Sequence, residues 1–185
     1  NTFGPRACYD ESKRYSETLC YIYAKYFDVP VVVVRPFNNY GPGLSKDDGR
    51  LPADLANSII QKKKIILYSN GIPTRAFCYI ADAIVGFLNA LTYKKYEIFN
   101  IGNDRQEISV RNLSKLYEKL SMKLFNYKPI IKFKKHKDKN YLKDNPQRRC
   151  PDIKKARKLL KFEPSISLKK GISNYLLYLK NEKIF

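Results

Sequence analysis

The chain has 185 residues, 44% of them hydrophobic, which is enough for one sizeable core or two small lobes. No apolar run approaches the roughly 18 residues of a membrane span, and Cys8, Cys20, Cys78 and Cys150 form no C-x-x-C and adjoin no histidine cluster, His136 being the only His. That argues against a zinc site or a disulfide framework and for reduced thiols in the cytoplasm, while the formal charge of +19 leaves open solvated faces, a pocket for an anionic small ligand, or a nucleic-acid surface.

Asn1-Thr2-Phe3-Gly4-Pro5 carries no initiator Met and no signal-peptide pattern, and reads as a start in mid-domain. From Tyr9 to Phe27 apolar residues recur at helical spacing, and Asp28-Val29-Pro30 ends the helix. Tyr9 and Lys13 stand at i and i+4, so phenol and ammonium share a face. A cation beside a phenol favours the phenolate, a base able to take a proton from a hydroxyl. The same spacing also describes a solvated helical pair, and Tyr21 and Lys25 repeat it.

Val31 to Val34 is a β-branched run suited to a strand of a parallel sheet buried on both faces. The Pro/Gly/Asn loop from Arg35 to Gly43 follows at its carboxyl end, where open α/β sheets bind ligands. Pro52 to Gln61 is a predicted helix. Ile65 to Tyr68 and Thr74 to Tyr79 read as short strands flanking the hairpin-type turn Asn70-Gly71. Asp82 is expected to cap a helix to Leu91, and Glu97 to Ile101 to form a strand. Ser109 caps a helix to about Leu120, Ile130 to Phe133 is a strand, and His136 to Arg149 a charged loop in which His136 is expected to be solvated. Asp152 and Ser167 cap the last two helices. The alternation predicts an α/β fold, and no nucleic-acid motif is visible.

Several segments together resemble the extended short-chain dehydrogenase/reductase (NAD-dependent epimerase/dehydratase) family, in its nucleotide-sugar branch. They are Gly4 to Arg14, Arg35 to Pro42, Asp48-Gly49-Arg50, Thr74 to Asp82, Asn100 to Asn103 and Asn145 to Ile153. Within the branch the pattern is most similar to UDP-glucuronate decarboxylases, while Asn38-Asn39-Tyr40-Gly41-Pro42-Gly43 is also similar to dTDP-glucose 4,6-dehydratases.

The resemblance implies the C-terminal part of a Rossmann-type parallel-sheet domain (1–43 and 76–102) with a small α/β substrate lobe (44–75 and 103–185). It implies NAD as cofactor and a UDP-sugar as substrate, with Tyr9 as the base at sugar carbon 4 and Lys13 as its activator and a ligand of the nicotinamide ribose. Phe37, Asn39 and Arg50 would adjoin the cofactor. Asn38, Arg50, Tyr68, Arg75 and Arg149 would meet the substrate, Arg75 clamping its diphosphate and Arg149 serving as an acid or carboxylate ligand. Oxidation at carbon 4 and loss of carbon dioxide would give UDP-xylose; dehydration or epimerisation shares the first step. The non-enzyme alternative is an inactive basic nucleotide-binding module. Homodimerisation through the Tyr9–Phe27 helix is a further expectation, with no metal, nucleic acid or membrane span.

The Gly-x-x-Gly-x-x-Gly turn that seats the NAD diphosphate in this family does not occur in the sequence. The chain therefore reads as a C-terminal half, and in isolation it is expected to bind NAD poorly and to be inactive.

Overall fold

The structure is a computed structural model, and residues 3–4, 7–45, 47–137 and 145–181 are described. Helix α1 (Ala7–Tyr26) has Asp10 in its first turn and Lys25 in its last, the signs that suit the helix dipole. Asp28, at φ 51°, turns the chain into β1 (Val32–Pro36).

β1 runs parallel to β6 (Glu97–Ile101), with Val33 opposite Ile98 and Val34 opposite Phe99. The β-branched run is a strand as expected, but its valines are only half-buried, and β6 is its one neighbour among the described residues. Helix α3 (Ile80–Leu91) packs on this sheet, and α5 (Lys154–Leu160) packs on β6 and α3. Phe99, Ile101, Ile153, Ala156 and Phe162 form the resulting core.

A second core lies among α2 (Leu51–Ile60), α4 (Val110–Phe125) and α6 (Leu168–Asn181), which pack against one another. Its largest enclosed side chains are Tyr117 and Tyr175, whose hydroxyls donate to the carbonyls of Pro52 and Leu44. These bonds give each buried phenol the partner its burial requires.

Short ladders join the two cores. β2 (Asn39–Tyr40) pairs parallel with β5 (Cys78–Tyr79), and β3 (Ile65–Leu67) with β8 (Ile131–Phe133). β4 (Thr74–Ala76) lies between β7 (Glu107–Ser109), antiparallel, and β9 (Arg148–Arg149), parallel. The hairpin expected around Asn70-Gly71 is therefore absent, because the two flanking strands take distant partners. The single strand expected over Thr74 to Tyr79 is divided between two ladders at Phe77.

Ser109 caps α4 as expected, its hydroxyl accepting from the Asn112 amide, and the Ser167 hydroxyl accepts from the Lys170 amide at the start of α6. The Asp152 carboxylate accepts from the Lys154 amide. Asp82 does not cap α3, whose extended N-cap residue is Tyr79. Its buried carboxylate instead accepts from the backbone amides of Ser165 and Ile166, fastening the loop before α6 onto α3.

Arg157 on α5 donates to Asp104 at 2.6 Å and to Glu163 at 2.8 Å. The Arg157 guanidinium beside Asp104 holds its carboxyl below the usual carboxylate range. A depressed folded-state pKa contributes stability that is present above the unfolded value and lost as pH falls through the folded one. Arg157→Ala is expected to cost about 2 kcal/mol at pH 7. That deficit should shrink as pH falls below about 4, as urea unfolding across pH would record.

Candidate functional site

Helix α2, strands β3, β4 and β9 and the Asn38-Asn39 corner enclose a cavity of about 350 Å³. Six of the residues expected at the site line it: Asn38, Asn39, Arg50, Tyr68, Arg75 and Arg149. Arg75 and Arg149 are direct partners across the parallel β4–β9 ladder. Paired residues of adjacent strands project from the same sheet face, so Arg75 and Arg149 leave the ladder on one side. Arg148 keeps β9 in place through its 2.7 Å ion pair with Glu107 on β7.

Arg75 is oriented by its surroundings. One terminal nitrogen donates to the carbonyls of Thr74 and Gln147, at 2.7 and 3.3 Å, and the other to the Asn145 side chain at 3.2 Å. These bonds fix the plane of the guanidinium at the cavity wall.

Asn38 adopts φ 44°, a left-handed conformation that Asn tolerates better than most residues. Its amide donates to the Ala76 carbonyl at 2.7 Å and ties the corner to β4. Gly41, at φ 134°, completes the bend; a Cβ there would lie 2.8 Å from the Ile80 side chain. The Asn39 Oδ1 is buried, without a hydrogen-bond partner among the described residues. A buried acceptor left unpaired costs about 1–3 kcal/mol, so this atom is suited to a donor brought by a ligand.

Arg50 forms an ion pair with Asp48 beside the cavity. Tyr68, 40% exposed, meets the His136 ring edge-on at 4.9 Å. His136, expected to be solvated in a loop, thus packs against a cavity residue; a loop histidine gives no sequence signal for a ring contact so distant in the chain.

Tyr9, Lys13 and Phe37 do not line the cavity. Lys13 Nζ lies 5.5 Å from the centroid of the Tyr9 ring, so the pair shares a helix face as its spacing requires. Tyr9 is 58% exposed. Phe37 sits at the carboxyl end of β1, its amide donating to the Ile101 carbonyl and its Cβ beneath Gly102. Sequence reasoning passed over Asp54 and Ser58 on α2, and Asn145 and Gln147 before β9, all of which line the cavity. For the first two the available signal was their i, i+4 spacing within a helix whose one other polar residue is Asn57.

The profile of the NAD dependent epimerase/dehydratase family matches residues 1–102, more than half of the chain. The chain belongs to this family. UDP-glucuronic acid decarboxylase 1 of Xenopus tropicalis is 35% identical over 182 residues, which cover 98% of this chain and 41% of that protein. UDP-glucuronic acid decarboxylase 2 of Arabidopsis thaliana is 34% identical over 93% of this chain and 36% of its own. Among solved structures, the UDP-glucuronic acid 4-epimerase of Bacillus cereus in complex with UDP-glucuronic acid and NAD superposes with a TM-score of 0.79 at 30% identity. That match covers 94% of this chain and 52% of the epimerase. The expected Rossmann-type α/β fold is thereby confirmed. The chain spans about two fifths of the length of the curated relatives it matches. No helix among the described residues is long and apolar enough to cross a membrane.

Proposed function

We propose that this chain is the substrate-binding part, with the catalytic tyrosine, of an NAD-dependent enzyme that decarboxylates UDP-glucuronate to UDP-xylose. The observation that carries the reading is the Arg75–Arg149 pair on adjacent strands at the wall of the cavity, in a chain whose curated relatives are UDP-glucuronic acid decarboxylases.

The cavity would hold the nucleotide sugar. Arg75 clamps the diphosphate, Asn38 positions the chain of phosphates, and Tyr68 flanks the nucleotide. Arg149 faces the sugar carboxylate, and Arg50 closes the nucleotide side. Lys13 and Tyr9 would hold the nicotinamide ribose, with Phe37 and Asn39 beside the ring; the unpaired Asn39 Oδ1 and the donors on α1 fit such a group. Bound NAD would supply reversible oxidation at sugar carbon 4.

Tyr9 takes the proton of the carbon 4 hydroxyl, and Lys13 stabilises the phenolate that must do so. With a ketone at carbon 4, the carboxylate on carbon 5 stands β to it. The carbon–carboxylate bond breaks, carbon dioxide leaves, and the ketone oxygen receives the electron pair. Residues 1–43 and 76–102 would belong to the cofactor domain, and 44–75 and 103–185 to the substrate lobe. The protein would work in the cytoplasm, and α1, which buries none of its residues and exposes Tyr15, Tyr23 and Tyr26, would supply a homodimer contact.

The deciding test joins this chain to the amino-terminal half of the Xenopus tropicalis relative and supplies UDP-glucuronate and NAD. Release of carbon dioxide with a UDP-pentose is expected. A UDP-uronate epimerised at carbon 4, or loss of water, would replace decarboxylation by epimerase or dehydratase chemistry. Arg75→Ala is expected to weaken UDP about 10- to 150-fold by calorimetry, the range for loss of a charge-assisted hydrogen bond. Arg75→Lys should recover only part of that, because an ammonium lacks the fork.

A further inference from the structure

The positive charge of the chain is concentrated on one unit of the fold. Residues 62–64 and 110–137, which comprise α4, β8 and the segments beside them, carry twelve Lys and Arg and one acidic residue, Glu118. They hold more than half of the formal +19. All twelve basic residues are exposed. None of them forms an ion pair among the described residues, whereas Arg35, Arg105, Arg148 and Arg157 elsewhere each hold a carboxylate. The unit is continuous. Strand β8 pairs with β3, and the Tyr127 hydroxyl donates to the Lys63 carbonyl just beyond the end of α4. At the start of α4, the Arg111 guanidinium lies 5.2 Å from the centroid of the Phe133 ring on β8.

Apolar side chains are set among these cations. Arg111, Lys115 and Met122 follow one another at spacings of four and seven along one stripe of α4, and Met122 is exposed. Phe133, also exposed, lines a surface groove with Arg111 and Lys115. A basic surface with protruding apolar side chains suits the boundary of an anionic bilayer, where lysines meet headgroups and apolar groups leave water. It suits the reading of nucleic acid less well. Eleven of the twelve cations are Lys, point charges without a fork, and the one Arg is engaged by the Asn70 carbonyl and the Phe133 ring. We propose that α4 and β8 form a docking face by which the protein lies on an anionic lipid surface, with Met122 and Phe133 entering the headgroup layer. The groove shares no lining residue with the cavity of Arg75 and Arg149, so docking and occupancy of the cavity do not compete for side chains.

The test is co-sedimentation of the chain at about 0.1 M salt with two kinds of vesicle, phosphatidylcholine alone and equal parts phosphatidylcholine and phosphatidylglycerol. The wild type is expected to prefer the mixed vesicles about 100-fold or more, because each basic residue near an anionic leaflet strengthens binding about fivefold. Lys115→Glu, Lys119→Glu and Lys123→Glu together should weaken that binding about 100-fold or more. The same reversals at Lys94, Lys95 and Lys158, exposed around the other core, should change it by no more than about threefold, since screening confines the attraction to charges near the membrane. Met122→Gln with Phe133→Thr should weaken vesicle binding about tenfold and leave binding to random-sequence duplex DNA within about twofold of the wild type. Equal binding of the wild type to the two kinds of vesicle, or to neither, would overturn the proposal and needs no variant to fold. Equal losses from the two sets of lysine reversals would overturn it by assigning the attraction to net charge alone. Undiminished vesicle binding in the Met122→Gln, Phe133→Thr variant would overturn it in favour of a face that takes any polyanion, nucleic acid included.

Discussion

Tyr9→Phe is expected to lower turnover of UDP-glucuronate about 10²- to 10⁴-fold, the range for a positioned general base, with UDP affinity unchanged within about twofold. The substitution removes one oxygen and leaves the ring beneath Lys13, 5.5 Å from its ammonium. The second half of the expectation follows from location. Tyr9 lies on α1, outside the cavity lined by Arg75 and Arg149, so the groups that would bind the diphosphate are untouched. Turnover in the joined enzyme and calorimetry with UDP measure the two halves separately. A Tyr9→Phe enzyme with near-normal turnover would remove the tyrosine from the chemistry.

Gly171→Ala is expected to destabilise the fold, although alanine is the better helix former. In α6 the exchange alone should gain about 1 kcal/mol. A Cβ at Gly171 would, however, lie 2.9 Å from the Tyr79 ring and closer still to the Tyr40 hydroxyl. Both tyrosines are buried and meet edge-on at 5.7 Å, so neither can swing away cheaply. Overpacking of this kind costs about 1–3 kcal/mol and should outweigh the propensity gain. The expected net loss of up to about 2 kcal/mol corresponds to a fall in Tm of up to roughly 8 °C. Tyr40→Phe in the Gly171→Ala background should recover part of the loss by removing the colliding oxygen, a coupling that a double-mutant cycle isolates. Because Tyr40 follows Asn38 and Asn39 directly, the same substitution should also weaken UDP binding.

Regular elements with a strong local signal were legible in the sequence. The valine run, the apolar period of the long helices and the Ser109 cap each depend on neighbours within a few residues. What failed depends on distant partners. Asn70-Gly71 has hairpin chemistry, but β3 pairs with β8 and β4 with β7 and β9, so the turn joins strands of different sheets. Asp82 has the residue type of a helix cap, yet its carboxylate is claimed by amides 83 and 84 residues away. Strands of two residues, such as Asn39–Tyr40 and Arg148–Arg149, have no period to read.

The site divided along the same line. Resemblance marked Asn38, Arg50, Tyr68, Arg75 and Arg149, and they converge on one cavity. That Arg149 stands beside Arg75 required the β4–β9 register, which a charged stretch before Cys150 could not disclose.

α1 has a consequence for dynamics. It buries none of its residues, and a bidentate Arg35–Glu17 pair, half-exposed, fastens it to β1. An element with so little enclosed surface opens at low free-energy cost. Its amides should therefore exchange with solvent far faster than those of α6, which encloses Ile172, Tyr175 and Leu176, and added salt should hasten them further by screening the ion pair. The Tyr9–Lys13 pair rides on this helix. Anything that packs against α1 stabilises its closed form by mass action, so the readiness of the proposed base becomes a function of occupancy at a surface remote from the sugar.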